Sequence, residues 1–248
     1  MTDIKNLQSI QFYATAPYPC SYLEGREARS QVATPTQIIQ PFIYDQLIDL
    51  GFRRSGPFTY RPYCDNCKAC LSVRIPVTQF EPSRSQARAW VRHSDLKAKI
   101  VPLEFTAEHF ELYQHYQLSR HPNPLDEQNH NTYKQEEDQY RQFLLQTQVN
   151  TLLVEFRENG ILRMVSVIDE LTQGMSSVYT FYDTSVPGSS YGTYGILWQI
   201  NQVKELKLPY VYLGYFIEDS PKMSYKRLFK PLEALMNGQW FPLESIEL

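Results

Sequence analysis

Thr151-Leu152-Leu153-Val154-Glu155-Phe156-Arg157-Glu158-Asn159-Gly160-Ile161-Leu162-Arg163-Met164-Val165-Ser166-Val167-Ile168-Asp169 is two β-rich apolar runs joined by an Asn-Gly pair. Asn and Gly tolerate the positive φ of a two-residue hairpin turn, so 151–157 and 161–169 are predicted to be antiparallel strands, with a third at 175–183. Upstream, the pattern predicts a strand at about 97–104, a helix at 107–119 capped by Thr106, and a helix at 132–146. Downstream, it predicts a helix at 193–206 that stops before Pro209, a strand at Tyr210–Tyr215, and a last helix near 224–236.

Strand, two helices, three strands, helix, strand, helix is the order of the GCN5-related N-acetyltransferase fold, an α+β mixed sheet flanked by helices. The expected division is an N-terminal cysteine-containing lobe, residues 1–95, and an acyltransferase-like domain, residues 96–248. In that fold the donor sits where the third strand splays from the next and the following helix presents its N-terminus. The corresponding stretch, Asp183 to Gly195, contains Gly192 and Gly195 but no basic residue. It lacks the Gln or Arg and the clustered glycines that wrap a pyrophosphate, so coenzyme A is not expected. Open amides at Gly192, Thr193 and Tyr194 could hold a single phosphate or a carbonyl oxygen, and the Tyr191 and Tyr194 rings could stack a base. The competing reading of the glycines is close helix-to-strand packing.

The N-terminal lobe reads as irregular over 1–33. A helix follows from Pro41 to a stop at Gly51, with Ile43, Leu47 and Leu50 on one face. Leu71, Val73, Ile75 and Val77 then alternate with polar residues as a half-buried strand, which Pro76 puts near a sheet edge. Ser83-Arg84-Ser85-Gln86 has the form of a capping box opening a helix to about His93. Arg84, Arg88 and Arg92 recur every four residues on it, a candidate phosphate-binding stripe or an ordinary solvated face. Lys222, Lys226 and Arg227, beside the expected donor site, are further candidates for an RNA backbone.

Cys64, Cys67 and Cys70 lie within seven residues, and Cys20 would complete a four-sulfur shell for zinc or an iron–sulfur cluster. The plainer reading is reduced thiols in a turn. A closed four-ligand site leaves no position for a reacting group, so its role would be structural.

The net charge of −3 over 248 residues excludes a surface that attracts nucleic acid everywhere, and any such contact must be local. With no basic leader followed by an apolar run and no membrane-length apolar stretch, a soluble cytoplasmic protein is expected. The 18 tyrosines and 13 phenylalanines mostly serve a core.

Several segments resemble the aminoacyl-tRNA–protein transferases: Gly51-Phe52-Arg53-Arg54-Ser55-Gly56, Tyr60-Arg61-Pro62, the cysteine cluster running into Val73-Arg74-Ile75-Pro76-Val77, Phe80 with the capping box, Gly192-Thr193-Tyr194 with Leu197-Trp198-Gln199-Ile200, and Tyr212-Leu213-Gly214-Tyr215. The short chain and Cys20-Ser21-Tyr22-Leu23 resemble the bacterial branch, the aspartate/glutamate leucyltransferases. The resemblance implies that leucine, or alternatively arginine, passes from its tRNA to an N-terminal Asp or Glu, tagging the protein for the N-degron pathway. It implies aminoacyl-tRNA and acidic-N-terminus proteins as partners. An acidic first residue needs a cation, for which Arg53 or Arg54 is the candidate. An already activated ester needs positioning and oxyanion donors, for which Gly192, Thr193, Tyr194 and the Tyr215 hydroxyl are the candidates. The other readings are an acetyl-CoA-dependent N-acetyltransferase and a non-catalytic, metal-stabilised RNA-binding module.

Overall fold

The computed structural model describes residues 9–121 and 133–246, so the expected helix start at 132 lies outside the described residues. The first third of the chain builds a small four-stranded sheet in the order β1-β4-β6-β5, from β1 (Gln11–Ala14), β4 (Ser30–Thr34), β5 (Arg53–Ser55) and β6 (Phe58–Pro62). A two-stranded ribbon, β2 (Tyr18–Pro19) with β3 (Glu27–Ala28), lies between its first strands in sequence. The expected irregular stretch is therefore strand-rich. Helix α1 (Pro41–Asp49) starts on proline and buries Ile43, Tyr44, Leu47 and Ile48; Leu50, expected on that face, caps the helix and is exposed. Gly51 follows at φ +85°, a left-handed stop that suits glycine.

The remaining strands form one eight-stranded sheet, ordered β14-β13-β7-β12-β11-β10-β9-β8. They are β7 (Leu71–Pro76), β8 (Lys97–Val101), β9 (Thr151–Glu158), β10 (Ile161–Leu171), β11 (Gly174–Tyr182), β12 (Tyr210–Phe216), β13 (Glu233–Met236) and β14 (Gln239–Pro242). Residues on both sides of position 95 share this sheet. Its helices are α2 (Arg84–Arg92), α3 (Ala107–Arg120), α4 (Tyr133–Tyr140), which runs into a π-helical turn at Arg141–Leu145, and α5 (Tyr191–Glu205). Ser83 and Gln86 close the capping box of α2, and Thr106 caps α3.

Alternation along the strands divides the core. Val154 and Phe156 of β9 pack with Leu197, Ile200 and Val203 of α5 on one face. Leu153 of the same strand packs with Phe110 of α3 and Tyr140 of α4 on the other. The hairpin turn is as expected, with Asn159 at φ 51° and Gly160 at φ 83°.

Two expectations are corrected. The strand at Leu71–Pro76 is not near an edge: it lies between β12 and β13 and is buried on both faces. Pro76 is tolerated because it is the last residue of the strand, where the ladder passes to Val77, whose amide donates to the Pro209 carbonyl. The last helix near 224–236 is instead a 3₁₀ turn at Ser224–Leu228 followed by the β13–β14 hairpin. Pro231 cannot continue a helix, and Asn237-Gly238 at φ 50° and 78° makes the hairpin turn.

One feature of the sheet positions the site. β11 and β12 run parallel and pair only from Gly174↔Tyr210 to Ser176↔Tyr212, after which the two strands part. A bulge in β12 between Tyr212 and Gly214, with Gly214 at φ +78°, falls at that opening.

Candidate active site

The opened sheet has two polar walls. The first is the N-terminus of α5. Ser190 precedes it at φ 62° and gives no side-chain cap. The Tyr194 amide is used by the Ser190 carbonyl at 3.0 Å, which corrects the expectation that it is free; Gly192 and Thr193 have no amide partner among the described residues. Two carbonyls just before the helix are taken by α2 and its cap: Arg92 Nη1 donates to Gly188 O, and His93 Nε2 to Ser189 O. The buried His93 ring stacks on Tyr191 with centroids 4.6 Å apart, and its Nδ1 has no partner among the described residues. A cavity of about 530 Å³ lies here, lined by Arg92, His93, Glu158, Arg163, Gly188 and Tyr191. Arg163 is answered by Asp183 at 2.7 Å and Glu158 at 3.4 Å, whereas among the described residues Arg92 meets only a neutral carbonyl.

Gly192 and Gly195 serve packing. A Cβ on Gly192 would come within 3.3 Å of the Tyr182 ring, and one on Gly195 within 3.2 Å of the Met164 sulfur. The helix thereby lies close against β10 and β11. Tyr191 and Tyr194 are 2% and 5% exposed, so neither offers an open ring face to a base. Trp90, stacked on Tyr194 at 5.2 Å, is exposed above it.

The second wall is made by Arg53, Ser176, Gly214 and Lys226. Arg53 and Lys226 are each only 6% exposed. Arg53 Nη1 donates to Ser176 Oγ at 2.9 Å and Nη2 to Val73 O at 3.5 Å, leaving its buried Nε without a partner among the described residues. Lys226 Nζ donates to the Tyr215 carbonyl. Burial, reinforced by the neighbouring Arg53 charge, brings this amine down to about 7.

Other expected site residues are committed elsewhere. Arg54 grips Asp169, from Nε at 2.9 and 2.8 Å and from Nη2 at 2.7 Å, and Asp169 also accepts from Tyr44 at 3.0 Å and Thr151 at 2.8 Å. That carboxylate answers the Arg54 charge, so Arg54 braces the fold and is not free for an acceptor. The Tyr215 hydroxyl donates to the Gly51 and Tyr60 carbonyls at 2.9 and 3.1 Å, and burial pushes it well above the usual phenol range. It is engaged inside the protein and not turned to a reacting oxygen. Lys226 is buried, not on an RNA-facing surface, and Arg227 pairs with Glu218 at 2.7 Å. Arg84, Arg88 and Lys222 remain exposed.

Cys20, Cys64, Cys67 and Cys70 line one cavity of about 390 Å³, together with Tyr22 and Tyr60. Arg26 donates to the Cys67 sulfur at 3.5 Å, and the Cys64 thiol faces the Arg29 carbonyl at 3.8 Å. Among the described residues, however, no three His, Cys, Asp or Glu side chains are placed to hold a metal ion. The sulfurs are gathered around one cavity without converging on one point. Burial first, then the neighbouring thiols, push Cys70 up to about 12. At pH 8 its thiolate fraction is roughly a thousandfold below that of an ordinary cysteine of pKa about 8.5. Because a more basic thiolate is also more nucleophilic, iodoacetamide labelling followed by peptide mass spectrometry is expected to show Cys70 reacting more slowly than an ordinary cysteine by about tenfold or more; labelling at the ordinary rate would contradict its burial.

Sequence reasoning missed His93, Ser176 and Asp169. Only Asp169 carried a signal, an acid inside an apolar strand that requires a buried cation. His93 and Ser176 acquire roles through contacts with residues about a hundred positions away.

Known proteins match the sequence over most of its length. The family model described as "Arginine-tRNA-protein transferase, N terminus" matches residues 18–88, and "Arginine-tRNA-protein transferase, C terminus" matches residues 108–236. An aspartate/glutamate leucyltransferase of Polynucleobacter asymbioticus is 54% identical over 97% of this chain and 98% of its own. One from Nitrosospira multiformis is 56% identical over 96% of this chain and 92% of its own. Among solved structures, L-PGS from Bacillus licheniformis covers 87% of this chain and 71% of its own at 10% identity, with a TM-score of 0.45. Because the two models span the small sheet and the opened large sheet alike, and full-length relatives exceed half identity, the chain belongs to the arginine-tRNA-protein transferase family.

Proposed function

We propose that this protein transfers leucine from leucyl-tRNA to the α-amino group of proteins that begin with Asp or Glu. The leucyltransferase relatives supply the reaction, and one observation carries its placement here: Arg53 is a buried cation with a spare N–H at the opening of the sheet. A side-chain carboxylate on the acceptor's first residue is the chemistry that answers it. Of the two candidate arginines, only Arg53 has this capacity.

The aminoacyl end of the tRNA lies against the other wall. The free Gly192 and Thr193 amides at the α5 N-terminus receive the ester carbonyl as negative charge develops on it. Arg92 and His93 hold the preceding loop in place, and the Arg92 charge faces a terminal phosphate. The exposed Arg84 and Arg88 continue that charge along α2 toward the tRNA backbone. The ester is already activated, so no covalent intermediate on the enzyme is needed. Among the described residues no helix is long and apolar enough to cross a membrane. The proposed reaction, which needs tRNA and protein acceptors together, is one for the cytoplasm and for the N-degron pathway.

The test is a turnover assay with labelled leucyl-tRNA, arginyl-tRNA and acetyl-CoA, each offered peptides beginning with Asp, Glu, Asn or Ala. Leucine is expected on the Asp and Glu peptides, more than tenfold ahead of Asn. Acetylation, or no transfer from leucyl-tRNA, would overturn the reading.

A further inference from the structure

Lys226 is a buried titratable side chain that the chemistry above leaves without a role. It follows β12 on the 3₁₀ turn Ser224–Leu228 and reaches back into the opening of the sheet. A Cβ built on Gly214 would lie 4.0 Å from both Lys226 Nζ and Arg53 Nε. Glycine leaves that spot empty, and both nitrogens border it. Among the described residues neither cation pairs with a carboxylate; Asp169, the acid acting on Arg53, is held by Arg54. The groups around the amine are Arg53 from β5, Tyr212 beside Arg53 and Tyr215 from β12, and Tyr225 on its own turn, with the Tyr225 ring at 5.9 Å. Apart from the Tyr215 carbonyl these are cations or phenols. Among the described residues no carboxylate pairs with the ammonium, and burial beside a second cation is how a lysine becomes a base.

We propose that Lys226 is a catalytic residue of the transfer: its neutral amine takes a proton from the acceptor's α-ammonium and later gives that proton to the leaving ribose oxygen. The inference rests on the leucyl-transfer reading. The freed α-amine attacks the ester carbon, a C–N bond forms, and the bond from that carbon to the ribose 3′ oxygen breaks. The second amine proton is lost to solvent as the ammonium intermediate becomes an amide, and the first passes from Lys226 to the 3′ oxygen. No oxidant or other reactant is consumed.

The arrangement also ties catalysis to acceptor choice. A carboxylate arriving at Arg53 brings a negative charge to a site that otherwise holds only positive charge, and so strengthens the nearby amine as a base. An amide in its place would not. The acidic acceptor thus turns on the group that activates it.

Single-turnover rates with leucyl-tRNA and an Asp peptide, for wild type, Lys226→Met and Lys226→Arg, test this. Both variants are expected to lose about a hundredfold or more, including the Arg variant, which keeps charge and bulk but cannot be a base. Their leucyl-tRNA affinity and circular dichroism should stay normal. Small primary amines should restore rate to the Met variant, increasingly with amine basicity. If the Met variant does not fold, the Arg variant decides. A near-wild-type rate in Lys226→Arg, or no amine rescue of a folded Lys226→Met, would overturn the role of Lys226. No transfer by the wild-type protein would instead overturn the reading beneath it, and this role with it.

Discussion

Replacing Arg53 by Gln is expected to lower transfer efficiency to Asp and Glu peptides by about a hundredfold or more, while leucyl-tRNA affinity stays near normal. The acceptor carboxylate must leave water to reach the opening between β11 and β12, and the unpaired Arg53 Nε is the group that compensates it. Without that cation the carboxylate is desolvated and unpaired, which typically costs several kcal/mol. Asn and Ala peptides carry no such charge, so their slow transfer should change little and the preference for Asp over Asn should collapse. Gln ends near the Arg53 Nε position and gives up the bonds to Ser176 Oγ and Val73 O, so circular dichroism must accompany the assay. A variant with intact circular dichroism and the wild-type Asp preference would mean that the acidic pocket lies elsewhere.

The parts of this molecule legible in its sequence were those governed by neighbours along the chain. The capping box at Ser83, the Thr106 cap, the Asn159-Gly160 hairpin and the order of elements from 97 to 216 are local signals, and the structure has them. The misread last helix had its own local warnings in Pro231 and Asn237-Gly238, which outweigh an apolar period when both are present. The basic cluster from Lys222 to Arg227 is another matter. These residues read together as candidates for an RNA backbone, but Lys226 turns inward, where its amine meets the Tyr215 carbonyl. Likewise nothing adjacent separates Arg53 from Arg54. Successive strand residues point to opposite sides, and which one finds Asp169 is decided by pairing over a separation of 115 residues. Burial of Tyr191 and Tyr194 is also a tertiary outcome, set by the approach of α5 that Gly192 and Gly195 allow.

Asp169→Asn is expected to destabilise the protein by about 3–5 kcal/mol, the usual result of removing one partner of a buried ion pair. Asp169 is fully buried and accepts from Arg54, Tyr44 and Thr151, so it ties β5 and α1 of the N-terminal part to β9 and β10 of the large sheet. Asn keeps the shape but supplies one oxygen and no charge, leaving the Arg54 guanidinium buried and uncompensated. For a chain of this size the thermal midpoint should fall by roughly 10 °C, at about 2–4 °C per kcal/mol. Replacing both residues, Arg54→Met with Asp169→Leu, removes the charge and its counter-charge together and should recover much of the loss. Urea unfolding of Arg54→Met, Asp169→Leu and the double variant closes the cycle, with Asp169→Asn measured beside them. A single variant within about 1 kcal/mol of wild type would show that water reaches the pair and that the two parts of the chain are joined by other contacts. The cycle also bears on activity, because Arg53 is placed by the same strand: where the double variant regains stability, it should regain the preference for Asp acceptors as well, since Arg54 holds the wall in position and touches no substrate.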